Sequence, residues 1–216
     1  MTLKRKRGPS LASAVRPAWI FAFVALLAAR AWTQPPRLGP GKSPGEIILN
    51  LDAAHSQLHW TLGSTLHTVH GTFALKRGVV RVDPASGSAS GEIAADATSG
   101  ESGNDSRDKK MHTEILESAR YTEVIFRPDR IEGKIVSQGS SSVEVHGKFV
   151  LHGSQHELLV AVQAELSGNH WKGSAKFSIP YVQWGLKSPS TFFLKADPAV
   201  EIELDMSGNF QMAAAP

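Results

Sequence analysis

Nine histidines are the side chains in this sequence that could most readily do chemistry, because imidazole binds metal ions and transfers protons near neutral pH. Their spacing argues against shared metal sites. His55 and His59 are four residues apart, which places them about 13 Å apart along an extended strand. His152 and His156 flank a short turn and form the best pair, yet a zinc site needs three or four ligands at about 2 Å. The sequence therefore predicts surface histidines, no metal site and no cofactor.

Signatures of enzymatic catalysis are sparse. The chain contains neither a Gly-x-Ser-x-Gly nucleophile motif nor a His-Glu-x-x-His zinc-protease motif. It also contains no cysteine, which excludes a thiolate nucleophile, cysteine-ligated zinc and thioether-bound haem. The sequence therefore predicts a protein that is not an enzyme. A secreted enzyme of unknown reaction stays open as an alternative, and a polar cluster inside the fold would favour it.

The elements that must position these residues are mostly short β-strands. Apolar side chains alternate with polar ones over residues 57–62, 143–146 and 200–206, so each segment presents one dry face and one wet face. Glycine-rich and polar turns separate the strands at short spacing, as in an antiparallel barrel or sandwich. Further strands are predicted at residues 68–76, 79–83, 89–97, 124–128, 147–152, 158–166 and 173–179. The pattern predicts an all-β fold around one apolar face.

One segment, residues 105–116, breaks the strand pattern. Met111 and Ile115 are four residues apart, and acidic residues occupy the first turn. With Asn104 or Asp105 as the cap, this arrangement predicts a short helix. In an all-β chain, we expect a lone helix to plug or flank one end of a barrel.

Arg107 and Asp108 are a charged pair near the start of this helix. The structural interpretation places Asp108 at the positive end of the helix and Arg107 in an ion pair at the surface or the rim of a barrel. The functional interpretation has Arg107 meeting a polar group of a ligand at the end of the barrel. The structural interpretation is favoured.

The first 31 residues have the layout of a secretory signal peptide. They contain six basic residues and no acidic ones, and five of the basic residues precede an apolar run at residues 18–29 that is too short to span about 30 Å of hydrocarbon. Ala29-Arg30-Ala31 then supplies a small-x-small cleavage pattern. An exported chain without cysteine fits a bacterial envelope. We therefore expect a periplasmic or secreted protein cleaved near Ala31, with an uncleaved membrane anchor as the alternative.

Composition divides the rest of the chain. Residues 32–45 are rich in proline and glycine and predict a linker, residues 46–209 predict one domain, and residues 210–216 predict a frayed tail. Removal of the signal peptide leaves 17 basic and 20 acidic residues, so the net charge changes from +3 to −3. Binding to the phosphates of nucleic acid needs clustered basic residues, and the mature chain has more acidic than basic residues. Nucleic acid is therefore excluded as a partner. No integral membrane span is expected in the mature protein.

An ordered set of short motifs runs through residues 47–208. The opening motifs are Asp52-Ala53-Ala54-His55-Ser56 and Gly71-Thr72-Phe73. The later ones are Asn104-x-x-Arg107-Asp108, Tyr121, Phe126, the hairpin 145–153, Trp184-Gly185-Leu186 and the strand 200–204. In this order, the set resembles the YceI-like family of polyisoprenoid-binding, lipocalin-like barrels.

The resemblance implies a fold and a function. It implies an eight-stranded antiparallel lipocalin-like barrel, and export to the bacterial periplasm. It also implies an apolar tunnel that holds an isoprenoid or another long-chain amphiphile. The expected protein sequesters or carries that ligand without a bond-making step. A homodimer stays open.

The expected ligand-binding residues are apolar side chains on inward faces. Each buried methylene contributes about 0.8 kcal/mol, so a long chain needs no specific motif to be held. For the aromatic residues among them, ordinary core packing is the alternative. The predicted tunnel-lining residues are Leu58, Trp60, Phe73, Phe126, Val145, Phe149, Leu151, Phe177 and Trp184. The sequence leaves open whether the barrel is hollow, or solid and used as an envelope protein-interaction module.

Overall fold

The structure is a computed structural model that describes residues 45–213. The predicted signal peptide, the linker as far as residue 44 and the last residues of the predicted tail lie outside the described residues. The strands are β1 (Ile47–Leu51), β2 (Gln57–Leu62), β3 (Val69–Phe73), β4 (Leu75–Val82), β5 (Ala89–Asp96), β6 (Glu123–Glu132), β7 (Gly139–Leu151), β8 (Ser154–Ser167), β9 (His170–Ile179) and β10 (Val200–Met212). A helix, α1 (Asp105–Lys110), continues as a π-helical turn, Met111–Ile115.

The strands form one closed antiparallel sheet. β1, β4, β5, β6, β7, β8, β9 and β10 are hydrogen-bonded in that order, and β10 pairs with β1 to close the ring. β2 and β3 prolong β1 and β4 toward one end, since β10 pairs with β2 along its first half and with β1 along its second half. The predicted eight-stranded antiparallel barrel with one short helix is confirmed.

A turn between β1 and β2 divides the first long stretch of strand in two, and a side-chain cap forms this turn. Asp52 accepts a hydrogen bond from the backbone N–H of Ala54 at 3.1 Å, which starts a single 3-10 turn at Ala53–His55. Ser56 then joins the turn to β10, because its hydroxyl accepts a hydrogen bond from the Ser207 N–H at 3.0 Å. The chain can therefore bend without leaving the sheet.

The helix begins where the sequence predicts. The Asn104 side chain accepts a hydrogen bond from the Arg107 N–H at 3.0 Å, so Asn104 is the cap. His112 fixes the following turn, because its Nδ1 lies 2.9 Å from the Ser118 hydroxyl and its Nε2 lies 2.8 Å from the Gly100 carbonyl oxygen. The helix is thereby tied to the loop that follows β5.

The two ends of the barrel domain differ from the prediction. The strand β1 was not predicted, and the expected frayed tail begins too early, because β10 continues to Met212. Phe210 is only 5% exposed and packs in the core with Ile47. The two missed segments stabilise each other, since Ile47 pairs with Met212 in the sheet. Each segment alone is too short to reveal this pairing.

An ion-pair cluster covers part of the outer surface of β4, β5 and β6. Arg77 contacts Glu123 at 2.6 Å and Glu92 at 2.9 Å, and Lys76 contacts Glu123 at 3.1 Å. Hydrogen bonds from Arg77 and then Lys76 lower the pKa of Glu123 from 4.5 to about 2. The cluster joins three neighbouring strands through their polar faces.

Candidate functional site

A cavity of about 540 Å³ runs along the interior of the barrel. All eight strand positions of the ring contribute side chains to it, and nearly all of these are apolar. The inward-facing Phe126, Phe149 and Phe177 are only half-buried although they point away from the protein surface. Side chains in a filled core would have neighbours on every side. The barrel is therefore hollow, with a volume inside the range of about 300–1,000 Å³ that small-molecule sites span.

Eight of the nine predicted tunnel residues line this cavity. They are Leu58, Trp60, Phe73, Phe126, Val145, Phe149, Leu151 and Phe177. The period-two alternation placed them correctly because each lies in a strand whose other face is wet. Their contact with a ligand stays a prediction.

Trp184 is the ninth predicted residue, and its expected place in the cavity lining is wrong. Its ring stacks on His156 at a centroid distance of 4.2 Å and lies 5.7 Å from the Phe149 ring. Trp184 belongs to the loop between β9 and β10, where no strand period determines the direction of a side chain. Trp184 packs against these two rings instead of entering the cavity.

Sequence analysis missed many lining residues. On β8, alternate residues from Leu158 to Leu166 all line the cavity, and their alternation with exposed residues could have identified them. Other missed residues come from outside the strands and carry no such signal. Met111, Ile115 and Leu116 come from the helical segment, and Leu186 and Leu194 come from the β9–β10 loop.

One end of the cavity is lined by polar as well as apolar side chains. We call this end the mouth; it is formed by the loops at residues 63–68, 97–122, 152–153 and 180–199. The polar lining residues there are Ser64, His67, Arg107, Lys110 and Thr191. Arg107 and Lys110 are the charged residues among them, and the walls of the cavity contribute none.

Arg107 is held at the mouth by Ser102. Its Nε donates to the Ser102 hydroxyl at 2.7 Å, and its Nη2 donates to the Ser102 carbonyl at 2.9 Å. The ion pair predicted for Arg107 is not formed with any residue between 45 and 213. Arg107 instead binds Ser102, and Ser102 also binds Asp108. The Ser102 hydroxyl donates a hydrogen bond to the Asp108 carboxylate, and the Ser102 N–H donates a second one at 3.1 Å.

The Asp108 carboxyl stays ionised in this arrangement. Burial raises its pKa, but the hydrogen bonds from Ser102 and the charge of Arg107 outweigh burial and lower the pKa overall. Asp108 therefore serves the structural role predicted for it. Arg107, by contrast, keeps one guanidinium nitrogen for which these contacts provide no partner.

The opposite end of the cavity, which we call the base, is closed by apolar packing. Ile47, Leu166, Trp171 and Phe210 pack together there. The Trp171 indole N–H donates to the Asn50 carbonyl at 3.1 Å, which fixes the ring across the barrel. The base is therefore apolar, whereas Arg107 and Lys110 lie at the mouth.

The β9–β10 loop is fastened to the mouth by a buried tyrosine. The Tyr181 hydroxyl donates to the Asp197 carbonyl at 2.8 Å, and Tyr181 packs with Ile179 and Leu186. Burial raises the pKa of Tyr181, so its hydroxyl stays protonated and remains a donor. The β9–β10 loop is therefore fixed in place as one side of the mouth.

His152 and His156, the histidines predicted to be the best pair for a metal, each contact a different aromatic ring. The His152 ring lies 4.2 Å from the Tyr121 ring with the planes tilted by 49°, whereas His156 stacks on Trp184. Within residues 45–213, no three or more histidine, aspartate or glutamate side chains are grouped so that they could hold a metal ion. In the same part of the chain, no helix combines the length and apolar character needed for a membrane crossing.

Several solved structures share this fold. Burkholderia cenocepacia BcnA matches with a TM-score of 0.61 and 16% identity, covering 74% of this chain and 99% of that one. A polyisoprenoid binding domain from Saccharophagus degradans matches with a TM-score of 0.57 and 14% identity, covering 79% and 100%. The Campylobacter jejuni YceI protein matches at 0.52 and 17%, covering 67% and 86%. At these identities the likeness establishes the fold, and it lends no support to a homodimer.

The sequence itself also matches a family. The family model described as a YceI-like domain matches residues 49–208, which are most of the chain and nearly the whole barrel. A search of curated proteins finds no match. With the closed eight-stranded fold and the extent of the family match both in place, this chain belongs to the YceI-like domain family.

Proposed function

We propose that this protein binds a long-chain apolar amphiphile of the polyisoprenoid class and sequesters or carries it without chemical change. The observation that carries the proposal is the apolar cavity of about 540 Å³ along the barrel axis. The fold shared with a polyisoprenoid binding domain from Saccharophagus degradans supports this ligand class. Membership of the YceI-like family favours a binding protein over an enzyme.

The charge distribution of the cavity supports one orientation of the ligand. Apolar residues close the base, and Trp171 and Phe210 form its floor. Arg107 and Lys110 line the mouth. A polar or anionic headgroup therefore belongs at the mouth, with the hydrocarbon tail directed to the base, because burial of an unpaired polar group at the base would be costly.

The cavity can supply the binding energy through burial alone. Each methylene transferred from water contributes about 0.8 kcal/mol, so about ten carbons contribute about 8 kcal/mol before the chain is ordered. The headgroup contacts then select the orientation more than they add affinity. Tail length and head charge are separate properties of the ligand that can be tested separately.

Native mass spectrometry of protein isolated from its own envelope tests the proposal. We expect a discrete added mass that is lost on denaturation and extracts into organic solvent. Protein isolated without ligand should take up an added polyprenol or fatty acid. A bare protein mass that refuses both additions would overturn the proposal.

Two neighbouring lysines of α1 test the orientation. Lys110 lines the cavity, whereas Lys109 is exposed on the same helix. Lys110→Gln should weaken binding of a polyprenyl phosphate by about fivefold and leave a neutral polyprenol unaffected. Lys109→Gln is the matched control and should leave both affinities unchanged. Equal effects of the two substitutions would contradict the placement of the headgroup.

We further propose that the protein is exported to a bacterial periplasm or secreted. The basic, apolar and small-residue order of residues 1–31 supports export. N-terminal sequencing of the exported protein should then begin near Trp32. Recovery of intact Met1 in the membrane fraction would instead establish an uncleaved anchor.

A further inference from the structure

Three large apolar side chains are exposed together at the mouth. Leu66 is 70% exposed, Phe192 is 87% exposed and Phe193 is 84% exposed. We call these residues the mouth patch. The two phenylalanines form the apex of a tight turn, in which the Thr191 N–H donates to the Leu194 carbonyl at 2.8 Å. Their rings meet edge to face with centroids 5.1 Å apart.

Backbone hydrogen bonds join the two loops that carry the mouth patch. The Thr65 N–H donates to the Lys195 carbonyl at 2.9 Å, which places Leu66 beside the turn of Phe192 and Phe193. The Asp197 N–H donates to the Gly63 carbonyl at 2.9 Å and secures the same two loops further in. The patch is therefore presented by a connected scaffold. Exposed apolar clusters of this kind mark interaction sites.

The mouth patch is continuous with the cavity. His67 lines the cavity next to Leu66 in the chain, and Thr191 and Leu194 line it on either side of the two phenylalanines. An apolar chain that leaves the cavity at the mouth therefore emerges beside the patch.

The charges around the mouth patch complement an anionic surface. Lys187 and Lys195 are exposed in the same loop, and within the part of the chain that the structure describes neither has a carboxylate within ion-pair distance. The 97–122 loop carries four basic and five acidic residues, so the excess of positive charge beside the patch comes from the β9–β10 loop. Asp197 is the acidic residue of this loop. Aromatic side chains flanked by lysines are typical of segments that lie in a bilayer interface.

We propose that the mouth patch docks on an anionic lipid bilayer, with Phe192, Phe193 and Leu66 inserted into the interface. The mouth then opens directly onto the hydrocarbon, and an apolar ligand moves between bilayer and cavity without crossing water. The transfer step rests on the proposed function. The docking step does not, and the two can be tested apart.

The absence of cysteine from the whole chain allows a local measurement. A single cysteine introduced as F193C carries an environment-sensitive NBD fluorophore, in the full-length chain. The matched control is A85C, which labels the exposed β4–β5 turn at the base end of the barrel. The position of the label is the readout, because the apolar run at residues 18–29 could bind vesicles by itself.

With phosphatidylglycerol vesicles, the label at position 193 should become brighter and blue-shifted, whereas the label at position 85 should not change. With phosphatidylcholine vesicles, the response at position 193 should be weaker. A label at position 193 that stays in water while the protein binds vesicles would overturn the proposal. A lipid-free change at position 193 that grows with protein concentration would show that a second copy covers the patch, and would overturn it too.

Substitution of the patch separates docking from ligand binding. The double variant F192S/F193S, labelled with NBD at L66C, should need roughly tenfold more anionic lipid for each phenylalanine lost before the label leaves water. It should still bind a polyprenol delivered from ethanol, but take it up more slowly from vesicles. L159S, which removes an exposed leucine from the outer face of β8, is the control and should change none of these. Normal docking with no ligand in any assay would refute the proposed function and leave the docking intact.

Discussion

Filling the cavity from one wall should strongly weaken ligand binding without unfolding the barrel. Ala164 and Ala161 both lie on β8, but Ala164 lines the cavity and Ala161 is exposed on the outer face. Ala164→Phe therefore places a phenyl ring inside the barrel, whereas Ala161→Phe places the same ring in solvent. The pair matches strand, residue type and substitution, and differs only in the direction of the side chain.

The magnitude follows from the size of the cavity. The ring adds about six carbon atoms to a space of about 540 Å³. If it displaces about four to six methylenes of the ligand, the loss is about 3–5 kcal/mol, which corresponds to roughly two to four orders of magnitude in Kd. In a close-packed core, the same substitution would instead destabilise the fold by about 1–3 kcal/mol. The hollow barrel should show no such loss of stability.

Two measurements on each variant test this reasoning. Titration with a polyprenol, followed by native mass spectrometry, gives the affinity, and urea unfolding without ligand gives the stability. We expect Ala164→Phe to lose affinity at unchanged or raised stability, and Ala161→Phe to keep both. A destabilised Ala164→Phe protein would refute the hollow interior. A stable Ala164→Phe protein with unchanged affinity would show that the ligand binds elsewhere.

Three further predictions concern single residues. Phe149→Asp should abolish polyprenol uptake, because an uncompensated charge would face the apolar cavity; unchanged uptake would contradict its inward position. Glu123→Gln should lower Tm at neutral pH, and this difference should fade as pH drops from 4.5 towards about 2, since the folded protein holds the pKa of Glu123 low; a constant difference would exclude ionisation as its cause. Tyr181→Phe should cost about 0.5–1.5 kcal/mol in urea unfolding through loss of the bond to Asp197, and an unchanged stability would mean that this bond contributes nothing.

The sequence alone determined the class of fold and identified part of the inward face. Alternation with a period of two is a local property of a strand, so it identified residues such as Trp60 and Phe177 as cavity residues before any contact was known. The helix at residues 105–116 was equally visible, because Asn104 and the acidic first turn are local signals. The resemblance of ordered motifs added the number of strands and an expected ligand class.

Local pattern failed where position depends on distant partners. The pairing of Ile47 with Met212 joins the two ends of the domain, and neither short segment predicts a strand alone. Trp184 lies in a loop, so its direction follows from the ring of His156 that it stacks on. Arg107 binds Ser102 because Ser102 also holds Asp108, an arrangement that depends on how the preceding loop folds back onto the helix.

Whether the barrel is hollow was decided by the tertiary structure alone. The same alternation would also fit a filled core. A period of two predicts the direction in which Phe126 or Phe149 points, but it does not predict which side chain lies opposite. That depends on how far apart the walls are held by eight closed strands, whose inward side chains stop short of one another and leave about 540 Å³. The direction of each side chain is local, whereas the space between side chains is a property of the closed barrel.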